Sequence, residues 1–480
     1  MDQYKAAALQ AVDEKEDLIL DVSHTIWEYA ELSLKEYKST ALYVEKLKEE
    51  GFDVEEGLCG IDTAFLGKYG SGRPYIGILG EFDALSGLSQ KAGQAQIEPM
   101  VKGGDGHGCG HNMLGAASFG AAIGIKNYLQ QTGAQGTVIF YGCPGEEGGA
   151  SKALMARDGV WNQLDAALTW HPGDTNEVSS GTCNSCIQTI YSFKGVSSHA
   201  AGNPERGRSA LDAVELLNMG TQFLREHMPS DARIHYAILN AGGKSPNVVQ
   251  ATADVLYMIR SVKVADTIAL EKRVDKIAQG AALMTETEMR KTFVDGTANT
   301  VPNTVLEKVL FDNMNQVALP AYTEEDWAFA KAVFETYPRA AKLPGKGAQH
   351  DKQIEAFVKE KTDNGSRVIN DFVMPFYTSE DFAPGSTDVG DVSWNIPTAQ
   401  FSAVTWPSRA PGHSWQNVSC GNSPLGDKGV LYAAKVLCAA AIDLFNPPDT
   451  IEAAKEELKN RAPEGYPCPV PQGAKLYVID

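Results

Sequence analysis

The chain has 480 residues, 43% hydrophobic and 21% charged, which is ordinary for a globular protein and long enough for two cores. A formal net charge of −19 argues against nucleic acid or an anionic membrane as partner, and leaves any anionic small molecule to local Arg or Lys. No stretch approaches the ~18 apolar residues of a membrane span and no signal-peptide core opens the chain. The eight cysteines (59, 109, 143, 183, 186, 420, 438, 468) are too scattered for a disulfide framework, so reduced thiols in the cytoplasm are expected.

Residues 3–32 carry apolar side chains at helical spacing (Leu9, Val12, Leu18, Ile19, Val22, Ile26, Trp27), and 38–50 continues as a second helix stopped by Gly51. Strands are predicted at 63–69 and 74–80, the latter apolar on both faces as in a strand covered from two sides. A small-residue helix follows over 113–130, then a buried strand at 136–142, a helix at 150–158 and a strand at 164–170. This alternation predicts an α/β sheet with helices on both faces.

From about residue 184 the rhythm changes. Strands at 187–194, 233–239, 248–260 and 288–294 alternate apolar with polar residues, and helices are predicted at 209–227 and 266–284. One-sided strands with two helices predict a small α+β domain inserted in the first, giving 1–184, 185–298 and 299–480. Residues 342–371 read as a polar surface insertion, 398–405 as a last strand and 425–444 as a closing helix.

The chemistry gathers at His107-Gly108-Cys109-Gly110-His111-Asn112. In an extended backbone Cys109 and His111 point to one side and can share an ion, the glycines permit close approach, and His107 sits at the edge as a third donor. Three further segments each follow a predicted buried strand: Glu81-Phe82-Asp83, Gly145-Glu146-Glu147-Gly148-Gly149 and His171-Pro172. Sites in open α/β sheets lie beyond the carboxyl ends of the strands, so these side chains should meet Cys109 and His111 in one crevice, with His413 within reach. Singly each has a plainer role: a solvated turn for Glu146-Glu147, a helix cap for His171, an N-cap for Asp83. Together they would be buried charges, which must be paired or bind a metal. Thiolate, imidazole and carboxylate donors suit zinc, manganese or cobalt. Of the adjacent glutamates Glu147 can ligate while Glu146 acts as general base, best across two cations. Cys183-Asn-Ser-Cys186 stands alone and reads as structural.

Asp83-Ala84-Leu85, Cys109-Gly110-His111, Glu146-Glu147-Gly148 and Thr169-Trp170-His171 resemble the dinuclear metallo-amidohydrolases and carboxypeptidases that include aminoacylases and auxin-conjugate hydrolases. Glu36-Tyr37, Gly195-Val-Ser-Ser-His199-Ala-Ala and Asn247-Val-Val fit the same pattern, so the likeness runs along nearly the whole chain. It implies a zinc-peptidase-like, mixed but mostly parallel sheet, with the inserted domain as a lid and dimerisation domain. It implies two divalent metal ions, Zn2+ or Mn2+, on Cys109, His111, Glu147, His171 and His413, with Glu146 as base and Asp83 orienting a ligand. It further implies that His199 stabilises an oxyanion in a partner's site with help from Asn247, and that Arg260 pairs with a substrate carboxylate; a plainer reading of Arg260 is a sheet-edge arginine. The implied reaction is hydrolysis of an N-acyl amino acid amide, an aromatic acyl-glutamate first among substrates, by a homodimer or a heterodimer with a related chain. Other N-acyl amino acids, dipeptides, or a non-catalytic partner role are the alternatives. Where many members have Asp after Cys-Gly-His, this chain has Asn112, which cannot supply a negative charge.

Overall fold

The computed structural model describes residues 1–338, 342–446 and 448–478. It divides into two compact units, one of Met1–Gly181, Val301–Asp381 and Val392–Gly465, the other of Thr182–Thr300, Phe382–Asp391 and Tyr466–Asp480. The second unit is thus more than a single insertion, because two later segments return to it. Tyr466 donates its hydroxyl to the buried Asp391 at 2.5 Å, and Asp391 also accepts the Ala298 N–H at 3.0 Å, so one carboxylate ties the three pieces together.

The first unit is built on a seven-stranded sheet in the order Asp53–Glu56, Phe65–Ser71, Gly136–Gly142, Tyr75–Gly80, Ala166–Gly173, Thr398–Val404, Glu177–Ser179. The four strands from Gly136–Gly142 to Thr398–Val404 are mutually parallel, and the flanking pairs are antiparallel. The parallel strands are the two-sided apolar runs: every residue of Gly136–Gly142 is buried. From Tyr75–Gly80 the chain crosses through one helix to Gly136–Gly142 on one side. It then crosses through Ser151–Arg157 to Ala166–Gly173 on the other. That reversal opens a crevice beyond the carboxyl ends of the strands.

The first of those helices, His111–Thr132, is buried along most of its length because its small residues admit neighbours closely. A side chain at Gly120 would meet Ile19 at 2.6 Å, and one at Gly115 would run into the Tyr43 hydroxyl. The long helix Pro424–Phe445 and the N-terminal helices Gln3–Glu14 and Glu16–Tyr29, separated at Lys15, share this core. Strand and helix are cross-tied by buried Trp170, whose indole N–H donates to the Leu114 carbonyl at 3.0 Å.

Several expectations shift. His111 opens the helix, two residues earlier than the apolar pattern predicts, and His171 lies inside its strand rather than after it. The 342–371 region carries a helix, Lys352–Lys361, over a small core of Ala348, Val358 and Met374. Helices Thr304–Gln316, Glu324–Phe334 and Pro448–Arg461 complete the unit.

The second unit holds an antiparallel sheet in the order Glu288–Thr297, Ser185–Lys194, Thr252–Ser261, Arg233–Asn240. Alternate residues Ala253, Val255, Tyr257 and Ile259 pack in one core with Ala213, Val214 and Leu217 of Ala210–Leu224 and Leu270, Val274 and Ala278 of Val264–Thr285. This is the one-sided period-2 pattern of a sheet covered on a single face. Among the described residues no single helix is long and apolar enough to cross a membrane.

Candidate metal centre and active site

Gly110 adopts φ +79° and caps the helix that begins at His111. Cys109 and His111 therefore converge through a left-handed turn, not by alternation along an extended strand, and the helix N-terminus adds its positive dipole end beside the thiol. Cys109 Sγ lies 3.3 Å from His171 Nε2, and Cys109, His111 and His171 each offer a donor atom within 4.8 Å of the others. Cys109, Glu147 and His413 form a second such group, so the two share the cysteine. A third joins Glu81, His111 and Glu146.

Each donor is aimed by a neighbour. The Asp83 carboxylate can only accept, so the proton on the facing nitrogen, His111 Nδ1 at 2.8 Å, points at it and Nε2 is turned to the crevice. The other Asp83 oxygen accepts the Ser33 hydroxyl at 2.7 Å and the Glu147 N–H at 2.9 Å. Burial alone would raise Asp83, but the His111 hydrogen bond and charge outweigh it and hold the carboxyl down at about 2. His171 Nδ1 donates to the Pro172 carbonyl at 2.7 Å, and burial lowers its pKa, which leaves Nε2 as a lone pair facing Cys109. His413 comes from a loop, with a half-exposed ring and Nε2 3.5 Å from Glu147 Oε1.

The electrostatics of this nest call for a cation. Burial pushes the Cys109 thiol up to about 12, so a thiolate forms there only against added positive charge. Burial opposes a charged His111 ring and the Asp83 carboxylate favours one, with the net direction upward, so a cation at Nε2 would take the place of the ring proton. His111 Nε2 and Glu147 Oε1 are both buried and neither makes a hydrogen bond. Their nearest charged neighbours, Glu81 at 3.3 Å from His111 Nε2 and His413 at 3.5 Å from Glu147 Oε1, belong to the same ring of thiol, imidazole and carboxylate donors, which a divalent ion would satisfy.

One side chain that the sequence pattern does not single out stands beside the donors. Lys152 is wholly buried, and its ammonium pairs with Glu81 Oε1 at 2.7 Å. The other Glu81 oxygen is 3.3 Å from His111 Nε2. Burial works against the Glu81 anion, and Lys152 and His111 together outweigh it to lower the pKa. His107 is no donor to the cluster: its Nε2 faces the Ile26 carbonyl at 3.0 Å, and burial lowers its pKa to about 4. Asn112 also finds its role away from the metal donors. Its amide N–H group reaches the Gly421 carbonyl at 2.9 Å and the Ser23 carbonyl and hydroxyl at 3.2 and 3.1 Å. An aspartate has no N–H to give those acceptors.

No protein-family model matches the chain. It is 41% identical over 470 residues to the B-type chain of p-aminobenzoyl-glutamate hydrolase from Escherichia coli K12, covering 96% of both chains. The chain belongs to that family of metal-dependent amidohydrolases. Mouse Xaa-Arg dipeptidase is 25% identical, covering 96% of this chain and 93% of its own. Among solved structures, a Bacillus subtilis dinuclear metal-binding peptidase of the M20 family shares the fold at a TM-score of 0.54 and 15% identity, covering 90% of this chain and 99% of that one. The donor set of the cluster in this amidohydrolase fits a divalent metal ion.

The remaining three residues expected at the site lie in the second unit of the amidohydrolase. His199 and Asn247 are exposed neighbours there: Val248 bridges to His199, and the Ala200 N–H donates to the Asn247 carbonyl at 3.0 Å. His199 Nδ1 accepts the Gly202 N–H at 2.9 Å, which assigns the ring proton to Nε2 and makes that nitrogen a donor. Arg260 lies over Met258 Sδ at 3.1 Å and has no acidic partner among the described residues.

Proposed function

We propose that this chain hydrolyses the amide of p-aminobenzoyl-glutamate to p-aminobenzoate and glutamate, using two divalent cations, Zn2+ or Mn2+, held by Cys109, His111, Glu147, His171 and His413. The observation that carries the reading is the convergence of all five donors with Glu146 at one edge of the parallel sheet, in a chain 41% identical to a hydrolase of that name. When bound, the cations supply Lewis acidity, acidifying water and polarising the amide carbonyl. Glu146 takes a proton from the attacking water as the oxygen–carbon bond forms, then passes it to the leaving amine nitrogen as the carbon–nitrogen bond breaks. Asp83 keeps the His111 ring in register and fixes the Glu147 amide.

Arg260, without an acidic partner among the described residues, suits a substrate carboxylate, and His199 Nε2–H with Asn247 suits the tetrahedral oxyanion in a partner's site. In this reading the second unit is a lid and pairing domain. Its edge strand Arg233–Asn240 exposes Tyr236, Ile238 and Leu239, an apolar edge open to strand addition. The assembly is then a homodimer or, since the Escherichia coli relative is one component of a hydrolase, a heterodimer with an A-type chain. Eight unbridged cysteines support a cytoplasmic setting.

The deciding experiment is turnover of the purified single chain, loaded with Mn2+ or Zn2+, against p-aminobenzoyl-glutamate, acetylated amino acids and dipeptides, with metal counted by elemental analysis. Preference for p-aminobenzoyl-glutamate with two ions per chain is the expected result. Preference for another acyl amino acid or a dipeptide overturns the substrate, and an inert chain with a full metal complement points to a non-catalytic partner role. Glu146→Gln is expected to abolish turnover with bound metal unchanged; retained activity removes Glu146 from the mechanism.

A further inference from the structure

We infer that Glu36 is a positioning residue for the general base: its carboxyl grips the Gly145 amide and so fixes the glycine-rich turn that presents Glu146 and Glu147. The inference rests on the reading of Glu146 as base. Gly145-Glu146-Glu147-Gly148-Gly149 has little stiffness of its own, since Gly145 and Gly149 adopt φ +66° and +138°. What holds it comes from outside. Glu36 Oε1, on a residue with no exposed surface, accepts the Gly145 N–H at 2.8 Å. Leu34 fills the hollow of the turn, where a side chain at Gly145 or Gly149 would meet it at 2.8 or 2.7 Å. Ser33 donates to Asp83, which takes the Glu147 N–H with the same oxygen. One short segment, Ser33 to Glu36, thus braces both acidic loops of the site.

The chemistry of Glu36 is suited to holding the turn without taking part in the reaction. Burial, with a contribution from the nearby Asp83 charge, pushes its carboxyl up to about 8, so at neutral pH it is an uncharged acceptor that does not compete with Glu147 for a cation. Its second oxygen is buried and makes no hydrogen bond, while the backbone N–H groups of Glu36 and Leu34 approach the carboxyl beside that of Gly145, the one that belongs to the acidic turn.

The test compares Glu36→Leu, Glu36→Asp and Glu36→Gln with wild type in the metal-loaded protein, measuring kcat, KM, metal per chain and thermal midpoint. Glu146→Gln is the reference that first establishes the base. Leu removes the acceptor and Asp withdraws it by a methylene, and each is expected to lower kcat about 10–100-fold with KM and metal content within about twofold, the scale of a misplaced catalytic group. Gln keeps the accepting oxygen and is expected to restore kcat to within about threefold of wild type, as preserved geometry requires. Wild-type kcat in Glu36→Asp, or Gln as impaired as Asp, overturns the inference while leaving Glu146 as base. If Glu36→Leu does not fold, the Asp and Gln pair still decides. An active Glu146→Gln overturns the reading beneath it.

Discussion

Asp83 grips His111 and Glu147 at once: one carboxylate oxygen accepts the imidazole Nδ1–H at 2.8 Å and the other accepts the Glu147 backbone N–H at 2.9 Å. Two donors on different loops are thereby aimed by a single acid that is itself wholly buried and held ionised at about 2. Asp83→Ala should therefore weaken metal binding about 10–100-fold, the usual cost of losing a ligand's hydrogen-bond partner. Asp83→Asn, which keeps an accepting oxygen, should lose less. Competition with a calibrated chelator measures both affinities, and an Ala variant that binds metal as wild type does would remove Asp83 from this role.

The buried pair Lys152–Glu81 makes a stability prediction of a different kind. Both side chains are essentially without exposed surface, and they meet at 2.7 Å. Removing Lys152 takes from Glu81 its nearest counter-charge in a low-dielectric interior and leaves it only the His111 ring at 3.3 Å, so Lys152→Met should destabilise the fold by about 3–5 kcal/mol. Adding Glu81→Gln to it should recover part of that loss, because the stranded charge is then gone. Urea unfolding of the two variants gives both numbers. A Lys152→Met loss below about 1 kcal/mol, the range of exposed pairs, would show that the pair is not buried in solution.

The strands and the ends they present are legible in the sequence because two-sided apolar runs such as 136–142 have few other ways to fold, and a parallel sheet sends its loops to one edge. The acids and histidines in those loops can therefore be grouped before any distance is known. What stays hidden depends on contacts between distant parts of the chain. Lys152 sits among Ala153 and Leu154 on a short helix, where sequence favours a solvated lysine; only the tertiary fold supplies Glu81. Glu36 stands out in the sequence by resemblance alone, because its partner Gly145 lies 109 residues away. The turn at Gly110 reads as extended backbone, since Cys-x-His spacing is compatible with either and the helix period begins only with the apolar Met113. Asn112 looks like a lost charge until its acceptors, Ser23 and Gly421, are seen on packing neighbours.

The pH dependence of stability tests the state of Glu36 without recourse to activity. In the unfolded chain this carboxyl gives up its proton near 4.5, and in the fold, where burial and the Asp83 charge oppose ionisation, only near 8. Between those values the unfolded state binds fewer protons, so the stability contributed by neutral Glu36 is complete below about 4.5 and drains away as pH rises towards 8. Gln at position 36 cannot titrate, and other groups titrate in both proteins alike and cancel in the comparison. Relative to Glu36→Gln, the wild type should lose stability steadily from pH 5 to pH 8, by more than the about 1.4 kcal/mol that a single unit of pKa displacement represents. Urea midpoints of the two metal-free proteins at pH 5, 6, 7 and 8 measure the difference. Parallel curves would mean that Glu36 is ionised in the fold, and a wild type that gains on the variant with rising pH would mean that a cationic partner holds it.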